Sequence, residues 1–195
     1  RTFREHLVKD KMSKKIWYAP NGFEAYGEEE IQAVNTCLRE AWLAGNGKYT
    51  TEFEKQVAAY FGKKHGLFVN SGSSACLLAL ASLNLPVGAE VITPACTFST
   101  TVAPIVQLGY KPVFCDVELD TYVASVDSVI ACITPATRVI MLPNLIGNTP
   151  DWKLLRMKLD DTGRTDITLI EDSADTMICP HESDISTTSF YASHV

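Results

Sequence analysis

No apolar run in this 195-residue chain approaches the roughly 20 residues that a membrane-spanning helix needs. Neither a G-x-G-x-x-G nor a Walker-type G-x-x-x-x-G-K-[ST] string occurs, which removes the usual fingerprints of dinucleotide and nucleoside triphosphate binding. Cysteines stand at 37, 76, 96, 115, 132 and 179 with no C-x-x-C pair and no tight metal spacing. Positive charge is scarce: 17 Lys and Arg face 23 Asp and Glu, for a net charge of -6 and a pI near 5.2. That balance argues against nucleic acid or a membrane surface as partner, because both require a basic face. Basic residues gather only at the start, where Arg1, Arg4, Lys9, Lys11, Lys14 and Lys15 outnumber Glu5 and Asp10. Residues 1–15 are expected to form a flexible N-terminal arm, and their acidic residues argue against a transit peptide. Internal repeats, low-complexity tracts and linkers are missing too.

What remains is the composition of one globular domain, with 46% hydrophobic and 21% charged residues. The cysteines are expected to be buried reduced thiols of a cytoplasmic protein, Cys76 and Cys115 above all, since both sit in apolar stretches. Cys179, His181, Glu182 and Asp184 form a short polar cluster, but a loop of this composition needs no metal to explain it, and none is expected.

Short β-branched or apolar runs recur at GLFVN, EVITP, KPVFCDV, TRVIMLP and DITLIED, each bounded by turn-forming residues as buried parallel strands are. Helix-length stretches separate them, from Ser73 to Leu85, Phe98 to Leu108, Ser125 to Ile133 and Asp151 to Leu159. The alternation predicts a doubly wound α/β sheet. Ahead of it, Ile31, Val34, Leu38 and Trp42 fall at helical spacing, and Thr51 stands three residues before Glu54 as in a capping box. These two helices are expected to pack on the sheet or on a partner subunit.

In such a sheet ligands collect at the carboxyl ends of the strands. NSGSSACLLALA places Gly72, Ser73 and Ser74 at a helix start, where free amides and the positive end of the helix dipole favour an anion such as phosphate. An ordinary capped turn would read the same way. Phe98 falls where an aromatic ring can lie on a planar ligand or simply join the core. TLIEDSADT puts Glu171 and Asp172 at a buried strand end, where a carboxylate needs a partner such as a protonated heteroaromatic nitrogen or a loop it caps.

Taken in order, YTTEFEKQVAAYFG, VNSGSSA, GAEVITPACTFSTTVAPI, GYKPVFCDVELDTY, LIGNTPD, LIEDSAD and TTSFYASHV resemble the DegT/DnrJ-type (StrS-like) sugar aminotransferases, pyridoxal phosphate enzymes acting on nucleotide-linked keto sugars. The resemblance runs from about Tyr18 to the end. It implies a three-layer, fold type I, aspartate aminotransferase-like large domain with a mostly parallel sheet. Residues 16–195 would be its N-terminal portion, with the remaining sheet and a smaller C-terminal domain lacking. Gly72 and Ser73 would hold the cofactor phosphate by their amides and Ser189 by its hydroxyl. Phe98 would stack on the pyridine ring, Asp172 would keep the ring nitrogen protonated, and Asp175 would lie near the ring hydroxyl. Trp42, Lys48 and Tyr49 would be substrate contacts. A homodimer is implied, with an amino donor such as glutamate.

Two positions depart from the aminotransferases together. Asp175 stands where many of them carry Gln or His, and His194 stands where the cofactor-bearing lysine belongs. Both departures resemble the nucleotide-sugar 3-dehydratases of the family, of the GDP-4-keto-6-deoxymannose type. A sub-branch with an iron–sulfur cluster carries Cys where this chain has Ala174, so no cluster is expected. Histidine cannot make the covalent bond a lysine makes, yet with an ordinary pKa of about 6.5 it accepts a proton near neutrality. The resemblance therefore implies pyridoxamine 5'-phosphate as the working form, His194 as base, and loss of a C3 hydroxyl from a nucleotide-linked 4-keto-6-deoxy sugar. The alternatives are an aminotransferase proper and a non-catalytic remnant.

Overall fold

The computed structural model describes residues 27–40, 45–177, 182–191 and 194. The basic arm, Trp42, Cys179 and His181 lie outside the described residues. The order of elements is α1 (Glu28–Glu40), α2 (Lys48–Tyr60), α3 (Gly72–Ser82), β1 (Glu90–Pro94), α4 (Ser99–Gln107), β2 (Lys111–Cys115), α5 (Val126–Ala131), β3 (Thr137–Pro143), α6 (Trp152–Asp161), β4 (Thr168–Ser173) and β5 (Ile185–Thr188).

The strands form one parallel sheet in the order β2-β1-β3-β4-β5. Strands buried on both faces need apolar residues at every position, and β3 shows it, with Val139, Ile140, Met141 and Leu142 all inaccessible to solvent. Alternate residues feed two cores. Ile92, Ile140, Leu142 and Leu169 pack against Val126 and Val129 of α5 and Trp152, Leu155 and Leu159 of α6. Val91, Val139, Met141 and Ile170 pack against Cys76, Ala79 and Leu80 of α3 and Ile105 of α4. The result is a three-layer α/β/α domain. The order of strands reverses at β1, with β2 on one side and β3 to β5 on the other, so a crevice opens at the carboxyl ends of β1 and β3.

Four of the expected strands are present. The fifth, GLFVN, forms no strand and pairs with no described strand, and its Leu67 and Phe68 are 68% and 54% exposed. It is held from outside the sheet: Phe68 N–H donates to the Glu54 carboxylate at 2.8 Å, and Gly66 lies so close to α2 that a Cβ there would stand 2.5 Å from the Glu54 carbonyl oxygen. The proposed capping box is therefore not formed. α2 begins at Lys48 with Gly47 as its N-cap, Thr51 lies inside the first turn and donates to Gly47 O, and Glu54 is committed to Phe68. α1 buries none of its residues among the described part of the chain, and Val34 and Leu38 are exposed.

Cys76 and Cys115 are buried, and none of the described cysteines is in a disulfide. Burial, assisted by the nearby Cys132, pushes the Cys115 thiol up to about 12, which keeps it protonated and unreactive.

Candidate functional site

A cavity of about 950 Å³ lies at the carboxyl ends of β1, β3, β4 and β5, beside the start of α3. Gly72, Ser73, Phe98, Asp172, Asp175, Ser189 and His194 all line it. The sheet explains why residues so distant in sequence meet, since every segment leaving a strand at that end borders one crevice.

The start of α3 is capped by Ser71, whose hydroxyl accepts from Ser74 N–H at 3.1 Å, a residue the sequence reading passed over. Gly72 matters for closeness rather than for an unusual backbone angle: a Cβ there would come within 3.2 Å of Ser189 Cβ and 3.5 Å of the Thr188 carbonyl oxygen. This bare Cα brings Ser189 against the first turn of α3, so a hydroxyl-bearing residue and helix-terminal amides share one concave spot suited to a phosphate. Ser189 Oγ accepts from Tyr191 N–H at 3.2 Å, which fixes the start of the following turn.

Phe98 occupies the N-cap position of α4 and is 71% exposed. A large apolar ring held open at a cavity wall is available to a planar ligand. Asp172, the last residue but one of β4, is only 7% exposed, yet it is well compensated. Its Oδ2 accepts from Thr101 Oγ1 at 2.8 Å and from Cys76 Sγ at 3.5 Å, and its Oδ1 accepts from Ala174 N–H at 3.2 Å. The sequence marks Cys76 only as a buried thiol and does not mark Thr101.

Asp175 and His194 face one another, with Nε2 3.7 Å from Oδ1. That separation is too long for a hydrogen bond but short enough for strong attraction once the imidazole is protonated. Nδ1 of His194 is buried without a partner among the described residues, and the ring meets Tyr191 edge-on at 5.6 Å between centroids. Lys63 is the one lysine among the described residues lining the cavity, and its ammonium donates to the Ser183 carbonyl and, at 3.0 Å, to the Ser183 hydroxyl. Lys48 and Tyr49 lie in the first turn of α2 and do not line the cavity; Lys48 pairs with Glu40 at 3.8 Å instead. Among the described residues no group of three or more metal-ligating side chains occurs, and no helix is long and apolar enough to cross a membrane.

The described site thus offers an anion cradle, an exposed ring, a buried carboxylate with three donors, and an imidazole opposite a second carboxylate. Known proteins share this chain's sequence and fold. The dTDP-4-dehydro-2,6-dideoxy-D-glucose 3-dehydratase of Saccharopolyspora spinosa is 36% identical over 191 residues, covering 90% of this chain and 40% of its own length. The GDP-perosamine synthase of Vibrio cholerae is 34% identical over 146 residues, 75% of this chain and 39% of that protein. Among solved structures, the E. coli GDP-4-keto-6-deoxy-D-mannose-3-dehydratase with bound hydrated PLP matches with a TM-score of 0.70 at 30% identity, covering 81% of this chain and 41% of that one. The chain spans about two fifths of the length of these relatives. The three-layer parallel domain is the fold type I architecture. With residues 24–195 matched by its family model, the chain belongs to the DegT/DnrJ/EryC1/StrS aminotransferase family.

Proposed function

We propose that the chain is the N-terminal portion of the cofactor-binding large domain of an enzyme using pyridoxal or pyridoxamine 5'-phosphate. It would remove the C3 hydroxyl of a nucleotide-linked 4-keto-6-deoxy sugar, with His194 as base. The observation that carries this reading is the cavity's side-chain set: an imidazole stands opposite Asp175, and the one described lysine on the wall is bonded to Ser183. The relatives named above as 3-dehydratases support it.

The residues fit the cofactor. The close approach of Gly72 to Ser189 leaves a cradle that any Cβ would begin to fill, and Gly72, Ser73 and Ser189 would hold the phosphate there. Phe98 would lie against the ring, and Asp172 would pair with its protonated nitrogen. Bound there as the amine, the cofactor would supply a nitrogen for the C4 ketone and a conjugated ring able to carry the electron pair needed for loss of the hydroxyl. His194 accepts the proton released in that exchange. With the imidazolium formed, its Nε2–H faces Asp175, and the attraction between opposite charges holds the proton there. Hydrogen bonds from Thr101, Cys76 and the Ala174 amide compensate the burial of Asp172. Under this reading the partners are the nucleotide-linked keto sugar, an amino donor such as glutamate, and a second copy of the chain, in the cytoplasm.

A second reading, amino transfer to a keto sugar, is favoured by the family itself and by the Vibrio cholerae synthase. Incubation with pyridoxamine 5'-phosphate and a nucleotide-linked 4-keto-6-deoxyhexose separates the two by mass spectrometry. A 3-deoxy keto sugar is the expected product. An amino sugar retaining its C3 oxygen would overturn the proposal.

A further inference from the structure

Asp172 is gripped from two helices at one oxygen. Thr101, in the first turn of α4, donates its hydroxyl to Oδ2 at 2.8 Å, and is itself fixed by a hydrogen bond from Thr97 Oγ1 at 3.1 Å. Cys76, on α3 and 1% exposed, brings its sulfur to 3.5 Å from the same oxygen. The thiol also lies 3.5 Å from Thr187 Oγ1, but that hydroxyl's single proton goes to the Glu171 carbonyl at 3.3 Å. The thiol proton is therefore the donor, and an anionic oxygen is a better acceptor for it than a neutral hydroxyl. Burial, and after it the Asp172 charge, push the Cys76 thiol far up, so the proton stays on sulfur.

A carboxylate has about four acceptor positions. Thr101, Cys76 and the Ala174 amide occupy three, in a setting where unmet polar groups are costly. We propose that Cys76 and Thr101 are positioning residues that clamp Oδ2 of Asp172 between α3 and α4, leaving that carboxylate one acceptor position for a single N–H donor in the cavity. The identity of that donor as the cofactor's ring nitrogen rests on the function proposed above; the clamp itself does not.

Two measurements on the full chain test it. Infrared spectra in the S–H stretching region, taken as the difference between the chain and C76A, isolate the Cys76 band, and C115A isolates the Cys115 band in the same way. The Cys76 band is expected at lower frequency than the Cys115 band and is expected to move up in D172N, whose amide oxygen is a weaker acceptor. Coincident bands, or a Cys76 band that ignores D172N, would overturn the clamp.

In the second measurement pyridoxal 5'-phosphate is titrated against C76S, C76A, T101S and T101V. The serine variants keep a donor and are expected to bind within about twofold of the parent, while C76A loses about threefold and T101V about tenfold, as the loss of one weak and one charge-assisted hydrogen bond implies. A role in packing alone gives the reverse order, because alanine and valine suit a buried site better than serine. Serine variants binding no better than their apolar counterparts would overturn the clamp. A chain that binds no pyridoxal 5'-phosphate while its Cys76 band still shifts with D172N would overturn the cofactor reading and support the clamp.

Discussion

Glu171 and Asp172 are consecutive on β4 and carry the same functional group, but their side chains leave the sheet on opposite faces. Asp172 falls on the face of Ile170, beside α3 and α4, where three donors compensate it and the cavity begins. Glu171 falls on the face of Leu169, toward α5 and α6, and is completely inaccessible to solvent. There a chain of hydrogen bonds runs from Trp152 Nε1 to Asn144 Oδ1 at 3.1 Å, from Asn144 Nδ2 to Ser173 Oγ at 2.7 Å, and from Ser173 Oγ to Glu171 Oε1 at 3.3 Å. Glu171 Oε2 has no partner among the described residues. One carboxylate is thus furnished with donors at a cavity wall, and its neighbour is enclosed in a polar seam that ties β3, β4 and α6 together. Strand parity and the cavity, rather than residue type, separate a ligand-facing group from a structural one.

The largest effect should come from exchanging these roles. Asp172→Ala removes the carboxylate proposed to pair with the ring nitrogen and strands three donors, so the affinity for pyridoxal 5'-phosphate should fall by about 100-fold or more. Glu171→Gln, on the far face, should change that affinity by less than about threefold. Equal losses in a fluorescence titration would dissolve the distinction. Next in size is Trp152→Phe, which leaves Asn144 Oδ1 unsatisfied inside the core and should cost about 1–3 kcal/mol in urea unfolding without altering affinity.

A smaller effect, of opposite sign, is expected in the loop after β3. Ile146 has φ of +53° at 66% exposure, in a two-residue turn closed by Leu145 and Asn148 with Gly147 also at positive φ. A β-branched residue is strained there and buries little in return, so Ile146→Asn should stabilise the chain by about 1 kcal/mol, read as a higher urea midpoint.

The least effect belongs to the opposite end of the sheet. A hydrogen bond from Lys111, helped by Thr134, holds the Glu90 carboxyl below its usual range, and Arg164 does the same for Asp166. Both carboxyls bind protons less readily folded than unfolded. Their contribution is complete above the ordinary carboxylate range and disappears as pH falls through the lowered values. Lys111→Ala should flatten the acid limb of the stability profile and leave cofactor affinity at neutral pH untouched.

Two short segments show how far the sequence reaches. GLFVN has the apolar signature of a buried strand and pairs with no described strand, whereas ISTT of β5 is polar, was not expected to be a strand, and pairs in register from Ile185 to Thr188 against β4. Local pattern reports which residues would suit a sheet; only the fold decides which backbone finds a neighbour. The strands EVITP, TRVIMLP and TLIEDS were legible because burial on both faces favours an apolar run, and KPVFC, an edge strand with Lys111 and Phe114 exposed, because a short β-prone run there is bounded by turn-forming residues. Gly72, Ser73, Phe98, Asp172, Asp175, Ser189 and His194 were legible as residues of motifs, and all of them line the cavity. Thr101 and Cys76 were not, because 71 and 96 positions separate them from Asp172 and nothing local marks a hydroxyl or thiol as its partner. The capping box failed for a related reason: Thr51 and Glu54 have the right spacing, but Glu54 is drawn to Phe68, 14 residues away.

The proposed function puts an imidazole, that of His194, where a lysine would bond to the cofactor, so that the cofactor is held by charge, stacking and hydrogen bonds alone. Its most direct test is to load the chain with pyridoxal 5'-phosphate, treat it with borohydride, and weigh the denatured protein. The mass of the bare chain is expected, with the cofactor released on unfolding. One reduced adduct per chain, on Lys63 or any other lysine, would contradict it.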